Sequence, residues 1–382
     1  MNDRWWTIGL VGLTLLVAGG ATAQNGGLAQ DGAGRGFAGL GDAVTGFATP
    51  DPDRALRFPQ DHGAHPAYRI EWWYLTATLS GDDGQDYGVQ WTLFRSALAP
   101  GDGAERDTGR SDATDGDGTG WSSPQLWMGH AGVTTASAHY SAERLARGGI
   151  GQAGVRLSPF AATIDDWEMR STAAPQADPL DALRLAASGP DFRYDLSLVA
   201  SGPLVLHGQR GYSIKSERGQ ASYYYSQPFY RVTGTLTLPD GPVQVSGQGW
   251  LDREWSSQPL DPDQTGWDWV SLSFEDGARL MGFQLRDRTG GSFTSGTWIS
   301  PDGMPAPLPH NALRFTPVAR ATVAGREIPV GWRIEEATRG LDITTTPLNP
   351  QAWMGTRVPY WEGPLRFTGS HTGRGYLEMT GY

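Results

Sequence analysis

Short runs in which apolar and polar residues alternate recur along this chain, at residues 193–199, 231–238, 243–250, 279–285, 314–318 and 376–380. A period of two sends successive side chains to opposite faces of a strand, so each run predicts a β-strand with one face on a core. Long stretches with the helical period are scarce, and glycine and proline punctuate the runs. Many short strands closed by turns predict an all-β fold, a barrel or a sandwich.

The pattern also repeats. Trp72-Trp73-Tyr74-Leu75, Asp83-Gly84, Gly88-Val89-Gln90 and Arg95 correspond in order to Trp267-Asp268-Trp269-Val270, Asp276-Gly277, Gly282-Phe283-Gln284 and Arg286. Asp-Gly between alternating runs is a hairpin signal. Farther on, Tyr225-Ser226-Gln227-Pro228 with Arg231-Val232-Thr233-Gly234 corresponds to Trp361-Glu362-Gly363-Pro364 with Arg366-Phe367-Thr368-Gly369. Two related β-domains are expected, the longer first: residues 62–248 and 249–382. The second copy has about the length of a small up-and-down barrel, whose interior can hold one small apolar ligand, and this favours barrels.

The segments ahead of the repeats read differently. An eleven-residue apolar stretch at residues 8–18, after Arg4, is too short to span a bilayer and suits a signal peptide. Ala21-Thr22-Ala23 supplies a small-x-small cleavage site, so residues 1–23 are expected to direct export and to leave no stable membrane span. The expected location is periplasmic or secreted. Residues 24–61, rich in Gly and Ala, read as a tether. Gly34-Arg35-Gly36-Phe37-Ala38-Gly39 fits GxGxxG by letter but lacks the flanking strand and helix of a dinucleotide site. Residues 101–120, acidic and Gly-rich, read as a solvated loop.

Composition narrows the chemistry. In 382 residues the net charge is −11, which argues against nucleic acid as a partner. Cysteine is absent, so no disulfide, thiolate nucleophile, iron–sulfur cluster or Cys-ligated zinc can form. The histidines are scattered, and neither His-Glu-x-x-His, Gly-x-Ser-x-Gly nor a phosphate loop occurs. No cofactor and no metal are expected. Of 30 Lys and Arg residues, only Lys215 is a lysine.

Glu71-Trp72-Trp73-Tyr74, Tyr223-Tyr224-Tyr225-Ser226, Gly249-Trp250-Leu251-Asp252-Arg253-Glu254-Trp255, Gly266-Trp267-Asp268-Trp269, Tyr360-Trp361-Glu362-Gly363 and Gly375-Tyr376-Leu377-Glu378 form an ordered series. This series resembles the carotenoid 1,2-hydratase (hydroxyneurosporene synthase) family, and most closely its AttH-like secreted branch, often labelled predicted secreted hydrolases. The resemblance runs from about His65 to Tyr382. It implies two tandem lipocalin-like (calycin) β-barrels. It also implies hydration of a terminal double bond, or a carrier role beside an ABC-transporter permease. The chain departs from the hydratases at Arg253 and Glu254, where they read closer to His and Asn.

Hydrating such an alkene means protonating it to a tertiary carbocation and then adding water. That requires a carboxyl kept protonated by burial, aromatic faces for the cation, and walls that limit water. Asp252, Glu254, Asp268 and Glu71 are the candidate acid–base residues. On a strand Trp250, Asp252 and Glu254 share one face and Arg253 and Trp255 the other; Glu71 and Trp73 oppose Trp72 and Tyr74; Trp267 and Trp269 oppose Asp268. Each carboxylate also has a structural reading: Asp252 and Glu254 in an ion pair with Arg253, Asp268 holding a turn or paired with a buried arginine, Glu71 paired with Arg69 or an interdomain arginine. Trp72, Trp73, Tyr225, Trp250, Trp255, Trp267 and Trp269 are candidate walls for an isoprenoid or lipid at the domain junction. Three functions therefore stay open: hydratase, periplasmic lipid carrier and secreted hydrolase.

Overall fold

The computed structural model describes residues 37–100 and 123–382; the stretches read from sequence as a signal peptide, as the start of a tether and as an acidic loop lie outside them. The described chain is all-β, with helical turns only at Phe37–Gly39 and Gln60–His62. The first sheet contains β1 (Ile70–Gly81), β2 (Asp86–Ala97), β3 (Gln125–Thr134), β4 (His139–Arg147), β5 (Ala153–Leu157), β6 (Phe160–Ile164), β7 (Trp167–Ser171), β8 (Ala182–Ser188), β9 (Arg193–Ala200), β10 (Val205–Leu206), β11 (Tyr212–Ile214), β12 (Ala221–Leu238) and β13 (Gly241–Ser256). The second contains β14 (Gln264–Phe274), β15 (Arg279–Asp287), β16 (Ser292–Ile299), β17 (Pro305–Pro307), β18 (Arg314–Val323), β19 (Arg326–Glu336), β20 (Leu341–Pro347), β21 (Trp353–Met354), β22 (Tyr360–Gly369) and β23 (Gly373–Met379).

Both sheets are antiparallel and both join their first strand to their last, β1 to β13 and β14 to β23. The first runs β4-β3-β2-β1-β13-β12-β9-β8-β7-β6-β5 and curls until its ends meet. There the Arg144 guanidinium lies 4.8 Å from the Trp167 ring and 3.7 Å from Asp165. The second runs β17-β16-β15-β14-β23-β22-β20-β19-β18. The architecture is a tandem pair of lipocalin-like barrels, and five of the six alternating runs fall within strands, the sixth passing the end of β23 by Thr380.

Turn geometry follows the repeat. Gly84 (φ +79°) and Gly277 (φ +93°) turn the two Asp-Gly hairpins. Gly234 and Gly369 also match, at φ +156° and +135°. A Cβ at either would collide with a neighbouring strand's backbone, at Asp195 and Asp342 respectively.

Two divisions made from sequence move. β13 continues to Ser256, paired throughout with β1, so the boundary at 248/249 falls inside a strand of the first barrel. The sheets change over after Ser256 because the same strand must complete both the β1 and β12 ladders. The tether is docked from Phe37 onward. Arg69 Nη2 donates to Gly39 O at 2.9 Å, and Tyr223 OH donates to Asp51 O at 3.0 Å.

The inward faces fill the barrels. Trp73, Trp91, Trp167 and Tyr194 pack in the first, and Val270, Leu272, Trp332 and Trp361 in the second. Glu71 belongs to the first interior. It accepts from Arg95 Nε, from Arg253 Nη2 at 3.1 Å and from His65 Nδ1 at 3.0 Å. Burial alone would raise its pKa, but Arg95, His65 and Arg253 together hold the carboxyl far below the ordinary range. Glu71 is thus a permanent anion in an ion cluster, which corrects its reading as an acid. Trp73 lies under the Arg253 guanidinium at 3.8 Å, Trp255 stacks on His65 at 3.9 Å, and Tyr225 OH pairs with His62 Nδ1 at 2.6 Å.

Replacing Glu71 with Leu should strand two buried guanidinium groups and cost about 3–5 kcal/mol in denaturant unfolding. Gly369→Ala should cost more than Gly84→Ala, because only Gly369 has backbone in the way. About 1–2 kcal/mol is expected at Gly84.

Candidate active site at the barrel junction

The outward faces of the same strands meet each other. Tyr74 on β1, Trp250 on β13, Trp269 on β14, Phe283 and Leu285 on β15 and Tyr376 on β23 form an apolar cluster between the barrels. This cluster encloses a cavity of about 120 Å³. Its wall includes Trp72, Tyr74, Phe94, Lys215, Tyr224, Asp252, Glu254, Trp267, Trp269, Phe283, Leu285, Tyr360 and Glu378. A larger cavity of about 670 Å³ adjoins it, and the two share Leu40, Ile70, Phe94, Trp267, Tyr360 and Glu378.

Asp252 holds the centre. Its Oδ2 accepts from Tyr224 OH at 2.7 Å, and its Oδ1 from Trp250 Nε1 at 2.6 Å and from Ser226 Oγ. Trp269 Nε1, from the second barrel, donates to Tyr224 OH at 3.0 Å. All of these donors are neutral, and burial outweighs them, pushing Asp252 up to about 7. Glu254, two residues on, faces the same way but is ion-paired with Lys215 Nζ at 2.7 Å and accepts from Ser222 Oγ.

The second barrel contributes a counterpart. Ser226 pairs with Asp252 in the β12–β13 ladder, and Glu362 pairs with Glu378 in the β22–β23 ladder. Asp252 and Glu378 therefore occupy equivalent places in the repeat. On their other sides stand Tyr74 and Trp269, which are also equivalent. Glu378 Oε1 accepts from Trp267 Nε1 at 2.7 Å, and burial pushes its carboxyl up to about 7. Behind it Glu362 is driven well above the carboxylate range by burial and by Glu378. Glu362 Oε1 accepts from Tyr74 OH, and its Oε2 has no hydrogen-bond partner among the described residues.

Of the sequence-selected residues, Trp72, Asp252, Glu254, Trp267 and Trp269 line the cavity, and Trp250 supports Asp252 from beside it. Trp73, Tyr225, Trp255 and Glu71 lie inside the first barrel. Asp268 points away from the cavity, accepting from Gln284 Nε2 at 2.8 Å, Arg286 Nε at 3.0 Å and Tyr382 OH at 2.8 Å. Burial raises its pKa, but it has no path to a ligand in the junction. Lys215, Tyr224, Tyr74, Tyr360 and Glu378 are not among the residues selected from sequence; Glu378 stands out only once the strand pairing sets it level with Asp252 in the repeat.

A hydrolytic triad is not assembled here. His207 Nε2 lies 2.6 Å from Ser226 Oγ, but its Nδ1 meets Thr297 Oγ1 at 3.0 Å rather than a carboxylate. Burial and then Lys215 push His207 down to about 3, which makes it a poor base near neutrality. Among the described residues no group of His, Asp and Glu side chains is arranged to hold a metal ion, and no helix is long and apolar enough to cross a membrane.

The comparisons agree with this architecture. Residues 49–382 match the model of the AttH-like family. A crystal structure from Nitrosomonas europaea assigned to AttH is 31% identical, superposes with a TM-score of 0.74, and covers 88% of this chain and 100% of its own. Kievitone hydratase from Nectria haematococca shares the fold at 14% identity and a TM-score of 0.62, over 88% of this chain and 98% of its own. Comparison with curated proteins returned no match. With a family match spanning both barrels, the chain belongs to the AttH-like family.

Proposed function

We propose that this protein is an exported, cofactor-free hydro-lyase that adds water to a carbon–carbon double bond of an isoprenoid held between the barrels. The carrying observation is Asp252, a carboxyl raised to about 7 in the wall of an aromatic cavity. Protonated Asp252 gives its proton to one alkene carbon, leaving a tertiary cation on the other. The indole faces of Trp72, Trp267 and Trp269 stabilise that cation. A water then forms the new C–O bond and loses a proton to the Asp252 carboxylate, which restores the acid. Glu378, equivalent in position and in its raised pKa, is the second group able to take that proton. Kievitone hydratase provides a precedent for hydration on this fold, though fold alone does not transfer activity. The large adjoining cavity favours a second reading, a lipid carrier serving a transporter permease.

One experiment separates the two. Incubated with an acyclic carotenoid in oxygen-18 water, the full chain should yield a product heavier by one labelled water. Asp252→Asn should lower the rate by about 10²–10⁴-fold. Because the protonated form is the acid, the rate should fall as pH rises through about 7. Carotenoid recovered bound but unchanged would favour the carrier, and full activity in Asp252→Asn would exclude this mechanism.

A further inference from the structure

Of the 30 Lys and Arg residues of this chain only Lys215 is a lysine, and that one lysine is buried in the wall of the junction cavity. Its Nζ lies 2.7 Å from Glu254 Oε1, 4.7 Å from the centroid of the Tyr224 ring and 4.3 Å from that of Phe283. An ammonium is compact where a guanidinium is a broad planar fork, so lysine is the cation that fits between two rings and a carboxylate. It carries three N–H donors. Glu254 is the one ion-pair partner of this ammonium among the described residues. Aromatic faces compensate a buried cation only in part, so a further acceptor would be favourable.

We infer that Lys215 anchors a neutral oxygen, a carbonyl or a hydroxyl, at one end of an otherwise apolar ligand. This rests on the junction cavity being the ligand site, and not on hydration taking place there. The charge around Lys215 selects the kind of oxygen. The ammonium is already ion-paired with Glu254 and no further cation lines the cavity among the described residues, so an anionic head would be buried against that carboxylate's repulsion with nothing to offset it. A neutral oxygen accepts from Nζ without that repulsion, and a hydroxyl can also donate to Glu254. A hydrocarbon leaves the spare donors facing rings and void. Lys215 is thereby a positioning residue: holding the oxygenated end sets which carbon atoms lie against Asp252.

The test uses the full chain and three probes of similar length: the ketone farnesylacetone, the hydrocarbon farnesene and the anion farnesoate. Binding is read from quenching of the wall tryptophans. The ketone should bind about tenfold or more tighter than farnesene, as expected for a hydrogen bond to a charged donor. Farnesoate should bind more weakly than the ketone. The paired variant Lys215→Met/Glu254→Gln removes both charges, leaving no bare carboxylate. It should erase the preference and still bind farnesene. Should that variant not fold, acetylation of Lys215 in the wild-type chain, followed by mass spectrometry, reads the same contact. The ketone should then slow acetylation more than farnesene at equal occupancy. Equal binding of ketone and farnesene by the wild-type chain would overturn the anchor while leaving the cavity as a ligand site. A preference that survives the paired variant, or equal protection from acetylation, would do the same. Binding of none of the three probes would overturn both.

Discussion

The strands at the junction are buried on both faces, and this double burial governs the rest of the molecule. β1 and β13 send Trp73, Leu75, Leu251 and Trp255 into the first barrel while Tyr74, Trp250 and Asp252 face the second. β14 does likewise, with Val270 and Leu272 inward and Trp269 outward. A barrel can enclose a ligand only if its interior has room. These interiors are packed with tryptophan, tyrosine and aliphatic side chains, so the apolar space with polar groups converging on it lies between the barrels instead. The junction, rather than a barrel interior, is therefore where the wall tryptophans border open space.

Double burial also makes two carboxylates on neighbouring strands behave in opposite ways. Glu71 and Asp252 are both withdrawn from water. Two guanidinium groups and an imidazole surround Glu71, and they keep it ionised. Only hydroxyl and indole donors reach Asp252, so desolvation prevails and its proton stays on near neutrality. A site that must both hold and release a proton needs the second environment. Lys215, which could have ionised Asp252, is instead engaged by Glu254.

Much of this was legible in the chain and some was not, for reasons that particular residues make plain. The alternation of Trp250-Leu251-Asp252-Arg253-Glu254-Trp255 correctly separates the two faces, because a strand's period is fixed by its backbone. The repeat is visible through Gly84 and Gly277, and through Gly234 and Gly369, because the positive φ at those positions favours glycine. Alternation does not say which face looks into a barrel. By sequence alone Glu71 and Asp268 are therefore as eligible as Asp252, and Trp73 and Trp255 as eligible as Trp72 and Trp269. Lys215 and Tyr224 join the site through pairings distant in sequence, which no local pattern encodes. The Gly/Ala-rich lead-in reads as a tether from sequence because its few anchors, such as Phe37 packing edge-on to Trp267 at 5.3 Å, are widely spaced.

The central claim is that Asp252 keeps its proton near neutral pH inside the junction. Infrared difference spectroscopy between the wild-type chain and Asp252→Asn isolates the carboxyl stretch of this one side chain. A protonated-carboxyl band present at pH 6 and lost with a midpoint near 7 is the result expected. A band already replaced by the carboxylate at pH 5 would contradict the account, because Asp252 would then be an ordinary anion with no proton to give.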